Sequence, residues 1–385
     1  GFIGELLLIE RDGHQEREFA ARFQQFTPAV MAKGVEDTAF YRYNRLASLN
    51  EVGNDPARFG RPVEGFHEYC SRIAARWPAT MLTLSTHDTK RSADVRARLN
   101  LLSEIPLEWG KAVRTWADHN QRYRSQGYPD RNIEYLMYQT LVGGWPIDVA
   151  RLVPFLHKAA REAKVHTSWL NPVAEYENTL AQFASKVLAD DEFLGDFEMF
   201  MGRHDIVALG RVASLAQATL LLTCPGVPDL YQGTEVWDLS LVDPDNRRQV
   251  DYDRRERLLS EVRDMSSAEA MARADDGAPK LWLIARLLEE RRRLPDLFES
   301  PTYSPLEAVG ARAAHAVAFA RDRLVVVVPR LLIGLGHDWA DTRLALPPGR
   351  WRNVLAGDEH DGSVPVELSK LLQAFPVAVL AQDPG

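Results

Sequence analysis

The chain has 385 residues, of which 45% are hydrophobic and 26% are charged, and its formal net charge is −8. This composition is that of a globular protein long enough for two or three hydrophobic cores. The negative charge argues against a nucleic-acid or anionic-membrane surface, although it leaves room for a local basic patch. We therefore expect neither a nucleic-acid partner nor a membrane.

The cysteines and the first residues bear on location. Cys70 and Cys224 both stand in apolar segments, which favours a reducing cytoplasm over a disulfide framework. From the sequence we expect that no apolar run approaches membrane-spanning length. The opening GFIGELLLIERDGHQ contains acids and no basic leader, and so we do not expect a signal peptide.

Residues 1–103 predict helices and two short strands. An apolar segment leads into a helix through QEREFAARFQQF, and AVMAKG predicts a strand that runs into a functional loop. FHEYCSRIAARWPATM predicts a helix that ends before Pro78. A short apolar run at 81–84 then predicts the second strand.

Residues 104–205 predict a helical block, because apolar residues recur there with helical spacing and no convincing strand interrupts them. Residues 206–304 predict a helix, a Pro-Gly turn, a short strand that ends in Gly-Thr-Glu at 233–235, and a long helix ended by Pro295. Residues 305–385 predict a small β domain, since strand-like runs alternate there with turn residues.

This order of elements predicts an α/β fold. Strands that alternate with helices favour a parallel sheet. A complete eightfold barrel needs roughly 250 residues, and only about three strands are predicted outside the helical block and the β domain. If the sheet belongs to a barrel, part of that barrel is missing from the chain.

His87 and Asp88 follow the strand at 81–84, and the cations Lys90 and Arg91 come next. Catalytic groups of a parallel barrel sit at the C-terminal ends of its strands. A carboxylate at that place could stabilise an oxocarbenium-like transition state or bind sugar hydroxyls. The alternative is that Asp88 only caps the helix that follows.

The segment MAKGVEDTAFYRYNRL concentrates charged and aromatic side chains, among them Lys33, Glu36, Asp37, Tyr41 and Arg42. Aromatic rings cover the apolar faces of sugars, and charged groups bond sugar hydroxyls. The segment therefore indicates a sugar-binding loop. A solvated loop held by salt bridges is the alternative, and the pattern alone leaves both open.

The segment PGVPDLYQGTEVWDLSLVDPDNRRQVDY alternates acids with aromatic residues, Tyr231 among them. Acids at such spacing could suggest calcium. However, Asp-Pro-Asp-Asn lacks the glycine and the bidentate glutamate of an EF-hand loop. We therefore expect no metal and no other cofactor.

Several long segments occur together in this chain: FQQFTPAVMAKGVEDTAFYRYNRLASLNEVG, STHDTKRSADVRARL, YQTLVGGWP, REAKVHTSW and PGVPDLYQGTEVWDLSLVDPDNRR. Together they resemble the maltooligosyl trehalose synthase family, which belongs to the α-amylase superfamily of retaining (β/α)8 glycosidases. The resemblance covers most of residues 15–300 and is weaker in the β domain.

The resemblance implies a fold and a reaction. The fold is the C-terminal part of a (β/α)8 TIM barrel, with strands six and seven in 1–103 and strand eight in 206–304. The helical insertion is 104–205, and a C-terminal β-sandwich is 305–385. The reaction is an intramolecular transglucosylation, in which the reducing-end α-1,4 bond of a maltooligosaccharide becomes an α,α-1,1 bond.

The resemblance also implies site residues. Asp88 matches the third catalytic carboxylate of the superfamily, and His87 matches its sugar-binding neighbour. Lys33 is the foremost contact for the reducing-end glucose, and the remaining substrate-binding residues are Glu36, Asp37, Tyr41, Arg42, Lys90, Arg91 and Tyr231. The family's nucleophile and acid/base follow strands four and five, and no stretch here matches them. We therefore expect the chain to be inactive without an N-terminal half, covalent or separate.

Two other functions stay open at this point. A hydrolase of the same superfamily would cut α-1,4 or trehalosyl bonds instead of moving them. A non-catalytic glucan-binding or assembly module would also be compatible with the missing carboxylates. A closed pocket at Lys33 and Tyr41 would favour the mutase over the hydrolase, because the freed glucose must turn and attack again without competition from water.

Overall fold

The computed structural model describes residues 1–11 and 13–382, with the backbone alone at residue 299. Residue 12 and the last three residues of the predicted β domain, 383–385, lie outside the described residues. The elements before the helical block are α1 Phe2–Leu7, α2 His14–Met31, α3 Val63–Arg76, β1 Met81–Thr83 and α4 Ala93–Leu101. The helix predicted before Pro78 and the strand predicted at 81–84 are thus confirmed.

The strand predicted at AVMAKG is wrong. Helix α2 runs to Met31 and continues as a π-helical turn over Ala32–Glu36. Alanine, methionine and lysine are strong helix formers. A strand here would also need a neighbour to satisfy its backbone groups, and the described part of the chain places none beside it.

The helical block predicted at 104–205 is confirmed. It consists of α5 Pro106–His119, α6 Arg131–Gly144, α7 Val149–Ala163, α8 Ala174–Leu188 and α9 Asp191–Arg203. Its centre is Trp116, whose ring lies 5.4–5.9 Å from five other aromatic rings: Trp109, Tyr138, Phe193, Phe197 and Phe200. Aspartates cap α6, α7 and α9 by accepting backbone N–H groups, and so the block has both a packed core and closed helix ends.

The next elements are α10 Ile206–Thr223, β2 Val227–Asp229, α11 Tyr252–Val262, α12 Ser267–Ala272, α13 Ala278–Arg293 and α14 Pro295–Glu299. Strand β2 pairs in parallel with β1, with Met81 opposite Val227 and Thr83 opposite Asp229. The predicted strand end at 233–235 is wrong, because the chain turns after Asp229 and Gly233 takes a positive φ of 91°.

Helix α10 is long and apolar enough to cross a membrane by length and composition. This corrects the expectation that no run approaches that length. Core helices pass the same test, and 61% of the α10 window is buried inside the protein. The helix packs against α4, α13 and the C-terminal sheet, which accounts for its apolar composition as core.

Helix α4 is fixed in place by close packing and a buried ion pair. A Cβ atom at Gly210 of α10 would come within 2.5 Å of Arg98 Cγ, so only glycine permits this approach. Asp94 of α4 accepts from Lys280 Nζ at 2.9 Å, and both side chains are buried. The residues that precede α4 are therefore held on a rigid support.

The C-terminal part is antiparallel β structure, as predicted. Its elements are β3 Ser304–Leu306, β4 Ala308–Val309, β5 Ala316–Arg321, β6 Leu324–Pro329, α15 Leu332–Leu335, β7 Arg343–Leu344, β8 Arg350–Asn353, β9 Glu359–Asp361, β10 Val366–Glu367, α16 Leu368–Leu371 and β11 Ala378–Ala381. One sheet has the order β3-β5-β6-β11-β8-β9, and the other has the order β10-β7-β4.

The larger sheet is covered on both faces. Phe319 and Val326 belong to the hydrophobic cluster that includes Trp282 of α13. Val327 belongs to the other cluster, together with Leu344 of the smaller sheet. Burial of both faces explains why β6 is an uninterrupted apolar run and does not alternate.

Candidate functional site at the ends of the parallel strands

The parallel pair β1 and β2 delivers two loops to one edge. Because Thr83 lies opposite Asp229, residues 84–91 and residues 230–233 leave the sheet at the same level. Ser85 and Tyr231 line one small cavity between them. The predicted residues His87, Asp88 and Tyr231 therefore follow the aligned C-terminal ends of neighbouring strands.

Asp88 is not the cap of helix α4. The Ser92 side chain accepts from Val95 N at 3.4 Å and takes that position. The Asp88 backbone N–H is held by Thr86 Oγ1 at 3.2 Å, while its carboxylate is 57% exposed. The structure thus removes the alternative role that the sequence left open for this carboxylate.

Four of the predicted residues form a chain of alternating charges, which we call the charged rim: Lys33, Asp37, Lys90 and Asp88. Lys33 Nζ donates to Asp37 Oδ2. Lys90 Nζ lies 3.3 Å from Asp37 Oδ1 and 3.7 Å from Asp88 Oδ1. Lys90 is 3% exposed, so a buried ammonium joins two carboxylates that belong to segments some fifty residues apart.

The charged rim fixes the protonation states of Lys33 and Asp37. The hydrogen bond that Lys33 donates to Asp37 raises the pKa of Lys33 above its ordinary value. Burial acts to raise the pKa of Asp37, but the hydrogen bonds and charges of Lys33 and Lys90 outweigh burial and lower it. Both groups are therefore charged at neutral pH, and the surface presents an ammonium and a carboxylate to a ligand with hydroxyl groups.

Glu51 supports the charged rim, and sequence reasoning missed it. Its buried carboxylate accepts from Lys90 N at 2.8 Å and from Arg91 N at 3.2 Å. It thereby fixes the backbone from which the Lys90 side chain starts. The signal available in the sequence was only that Glu51 lies inside the first segment of the resemblance.

Two predicted substrate contacts, Arg91 and Tyr41, are buried, and a third, Arg42, is exposed but bonded to the backbone. Arg91 is buried and donates to Ala47 O at 3.2 Å, and Arg42 donates through Nε to Ala163 O at 2.5 Å. Tyr41 is also buried; its hydroxyl has no hydrogen-bond partner among the described residues, and burial raises its pKa well above the ordinary value. Arg91 and Arg42 hold the wall of the site, because their guanidinium groups are already occupied by carbonyl oxygens.

Glu36 and His87 lie nearer the surface. Glu36 is half-buried, and its Oε1 accepts from Gly53 N at 3.4 Å, which links the π-helical turn to the next loop. The backbone oxygen of His87 accepts from Asn246 Nδ2 at 3.0 Å, and the His87 side chain is exposed. Asn246 follows β2, so this bond joins the two loops at the strand ends.

Two of the acids that could suggest calcium, Asp243 and Asp245, are paired with cations of α7. Asp245 accepts from Arg151 Nε at 3.0 Å and Nη2 at 2.9 Å, and Asp243 accepts from Lys158 Nζ. Burial acts to raise the pKa of Asp245, but Arg151 outweighs it and the pKa is lowered. These carboxylates therefore join the helical block to the loop after β2.

One group in the described residues has the spacing of metal ligands: His119, Asp190 and Glu192. Arg122 Nη2 lies 2.5 Å from Asp190 Oδ2, and His119 Nε2 lies 2.8 Å from the same oxygen. The guanidinium thus occupies the place that a cation would take. Asp190 also caps α9, which gives the group a structural role.

The chain is similar to known proteins over nearly its whole length. No model of a protein family matches the chain. A Mycobacterium tuberculosis protein that carries the provisional name maltooligosyl trehalose synthase is 39% identical over 375 residues, which are 95% of this chain and 46% of the relative. The solved maltooligosyltrehalose synthase from Arthrobacter ramosus is 38% identical and superposes with a TM-score of 0.84. The matched region is 94% of this chain and 46% of the Arthrobacter chain. A hypothetical maltooligosyl trehalose synthase from Sulfolobus tokodaii is 31% identical and gives a TM-score of 0.79. The matched region is 98% of this chain and 50% of the Sulfolobus chain.

The chain therefore has the α/β fold of a class of trehalose-forming synthases. It belongs to the maltooligosyl trehalose synthase family, and the resemblance drawn from the sequence is confirmed. The chain spans about half the length of the curated relatives it matches.

Proposed function

We propose that the chain is the C-terminal portion of a (1→4)-α-D-glucan 1-α-D-glucosylmutase. This enzyme turns the reducing-end α-1,4 bond of a maltooligosaccharide into an α,α-1,1 bond within one molecule. The observation that carries the proposal is the charged rim. The exposed carboxylate of Asp88 follows the C-terminal end of β1, where barrel enzymes place catalytic groups. The exposed ammonium of Lys33, on the π-helical turn after α2, is linked to it through Asp37 and Lys90.

In this proposal β1 and β2 are strands seven and eight of a (β/α)8 barrel. The helical block is the insertion between them, and the two antiparallel sheets are the layers of a C-terminal sandwich. Parallel pairing of β1 with β2 across the whole block supports the barrel. The shared hydrophobic cluster of Val327 and Leu344 supports the sandwich.

Asp88 acts in this mechanism through its charge. Transfer of a glucosyl group passes through a transition state with positive charge on the sugar ring. A carboxylate placed beside that ring stabilises it without forming a bond. Lys90 holds Asp88 from below, which restricts the side chain while leaving its outer oxygen free for the sugar.

Lys33 retains the released glucose. Its ammonium is fixed by Asp37 and still exposed, so it can donate to a sugar hydroxyl without leaving its partner. Retention keeps the second attack intramolecular, and a well-oriented intramolecular attack outcompetes attack by dilute or excluded water. His87, Glu36 and Tyr231 complete the surface around this sugar.

The nucleophile and the acid/base belong to an N-terminal half. A retaining enzyme needs both carboxyl groups about 5 Å apart, and Asp88 can replace neither. The apolar side chains that α1 and α2 expose, such as Phe2 and Phe26, support a covering partner there.

Cys70 and Cys224 are buried and free, which supports a reducing cytoplasm as the location.

The test is reconstitution. The purified chain is incubated with maltopentaose, with and without the N-terminal half, and reducing ends are followed together with free glucose. We expect loss of reducing ends only when both halves are present. Release of free glucose without trehalosyl product would indicate a hydrolase, and binding of maltopentaose by both halves without any reaction would indicate a glucan-binding module. Loss of reducing ends with this chain alone would refute the role given to Asp88.

A further inference from the structure

The loop between α7 and α8, residues 164–173, is joined to the segment that carries Lys33. Arg42 donates to Ala163 O and, through Nη2 at 3.2 Å, to Lys164 O. Lys164 Nζ in turn donates to Thr38 Oγ1 at 2.7 Å, and Thr38 Oγ1 donates to Lys33 O at 2.7 Å. The loop therefore borders the charged rim and keeps a fixed position beside it.

This loop is stiff, although it lies at the surface. Thr167 is buried and bonds Glu177 Oε1 at 2.7 Å, and it accepts from Val173 N at 3.0 Å. Ser168 N donates to Asn171 O at 3.2 Å, and Asn171 N donates to Ser168 Oγ at 3.0 Å. These bonds close a tight turn and place residues 169–170 at its tip, in solvent.

The indole of Trp169 is held by a hydrogen bond at its N–H edge and by a guanidinium over one face of the ring. Its Nε1 donates to Glu162 Oε1 at 2.9 Å. Arg161 Cζ lies 4.8 Å from the ring centroid, and that guanidinium is itself fixed by Glu177 through bonds of 2.8 and 2.6 Å. The side chain is nevertheless 53% exposed, so a large part of an immobilised ring faces water.

We propose that Trp169 is a stacking platform for a glucose unit of the α-1,4-glucan, outside the residues that hold the reducing-end glucose. A pyranose ring has an apolar face that an aromatic ring covers, and hydroxyls at its edge that seek polar partners. The identity of the sugar rests on the proposed function; the platform itself rests on the loop.

Two further features favour a sugar as the occupant. A cavity of about 250 Å³ lies against Trp169 and is lined by residues 164–171, which include the polar side chains of His166 and Asn171. This volume lies just below the range of roughly 300–1,000 Å³ for small-molecule sites, as suits a subsite for a single sugar ring. In addition, a ring that is already immobile loses little conformational freedom when a ligand stacks on it.

The test uses the complete two-half protein, with Asp88→Asn introduced to prevent turnover during calorimetric titration. We expect Trp169→Ala to weaken the binding of maltoheptaose about tenfold, a loss typical of one aromatic contact. Maltotriose, which offers fewer glucose units to the platform, should lose less. Trp169→Phe should restore most of the affinity, because it keeps a ring. Leu107→Ala, on an exposed apolar residue of α5, is the matched control and should change nothing.

Unchanged maltoheptaose affinity in Trp169→Ala would overturn the platform. Weaker association of the two halves in Trp169→Ala, measured by sedimentation without glucan, would also overturn it and make Trp169 an interface residue. Failure of the proposed function looks different: the two halves would bind maltoheptaose through Trp169 but form no trehalosyl product from maltopentaose.

Discussion

The helical block and the charged rim are built in opposite ways. In the block, Trp116 is enclosed by five aromatic rings, and aspartates close the starts of α6, α7 and α9. Around the charged rim, the strands β1 and β2 pair only with each other among the described residues, and Met81 is 68% exposed. The block has a packed core, whereas the strand pair leaves apolar side chains such as Met81 in solvent. Stability and function should therefore respond to different substitutions.

The largest effect should come from the centre of the helical block. We expect Trp116→Ala to lower the free energy of unfolding by about 3–5 kcal/mol, because it leaves a cavity and an unpaired Asp196 carboxylate. Urea unfolding followed by circular dichroism measures this loss. Trp77→Ala, on an exposed tryptophan at the end of α3, is the control. A loss below 1 kcal/mol at Trp116 would mean that the block is not an independent core.

At the charged rim, function should fall while stability stays. Asp88→Asn in the complete enzyme should lower kcat on the order of 10²–10³-fold, since the charge is lost but the shape is kept. The unfolding midpoint should stay within experimental error of the parent, because Ser92 and not Asp88 caps α4. Asp253→Asn, on an exposed aspartate of α11, serves as the control. Near-normal formation of trehalosyl product would remove Asp88 from the mechanism.

These two regions also differ in how far the sequence predicted them. The block was predicted because helical periodicity is local, and the sheets of the C-terminal part were predicted from their turns. The segment AVMAKG was assigned to a strand although it is helical, because a short apolar run does not distinguish a strand from a helix. The rim residues Lys33, Asp37, Lys90 and Asp88 were all predicted by resemblance. Their connection was not, because an ion pair between distant segments depends on the tertiary fold.

Burial was the least predictable property of the site. Arg91 and Tyr41 carry polar groups that usually reach water, yet both are buried. Glu51 was missed for the same reason: a lone glutamate in a polar stretch gives no sign that two backbone N–H groups will enclose it. Tertiary packing decides such cases, and the local pattern does not contain it.

Lys33 should affect the partition of the reaction more than its rate. We expect Lys33→Ala in the complete enzyme to raise free glucose relative to trehalosyl product several-fold, because the released sugar is held less well. Lys90 still pairs with Asp37, so the fold of the segment should survive. Chromatography of the products after complete conversion gives the ratio, with Lys111→Ala on α5 as the control. An equal ratio in both variants would exclude Lys33 from retention.

The exposed face of α2 gives a further contrast with the block. Of the described residues in α2, Ala20 alone is buried, and Phe26 is 65% exposed. Phe26→Ser should therefore leave the unfolding free energy of this chain within about 0.5 kcal/mol. The same variant should weaken association with the N-terminal half, as measured by sedimentation. Unchanged association would place the contact between the halves elsewhere.

The smallest expected effect concerns acid and the loop that carries Trp169. Hydrogen bonds from Arg161 are the largest cause that lowers the pKa of Glu177, from 4.5 to about 2. Because the folded-state pKa lies below the unfolded one, this carboxylate stabilises the fold above pH 4.5, and its contribution is lost as the pH falls from about 4.5 to about 2. Glu177→Gln should therefore make the melting temperature depend less steeply on pH in that window, while Glu175→Gln, on the exposed side of the same helix, should not. An unchanged slope in Glu177→Gln would mean that Arg161 and Thr167 hold residue 177 equally well without its charge, and the support beneath the Trp169 ring would then be a matter of packing and not of an ion pair.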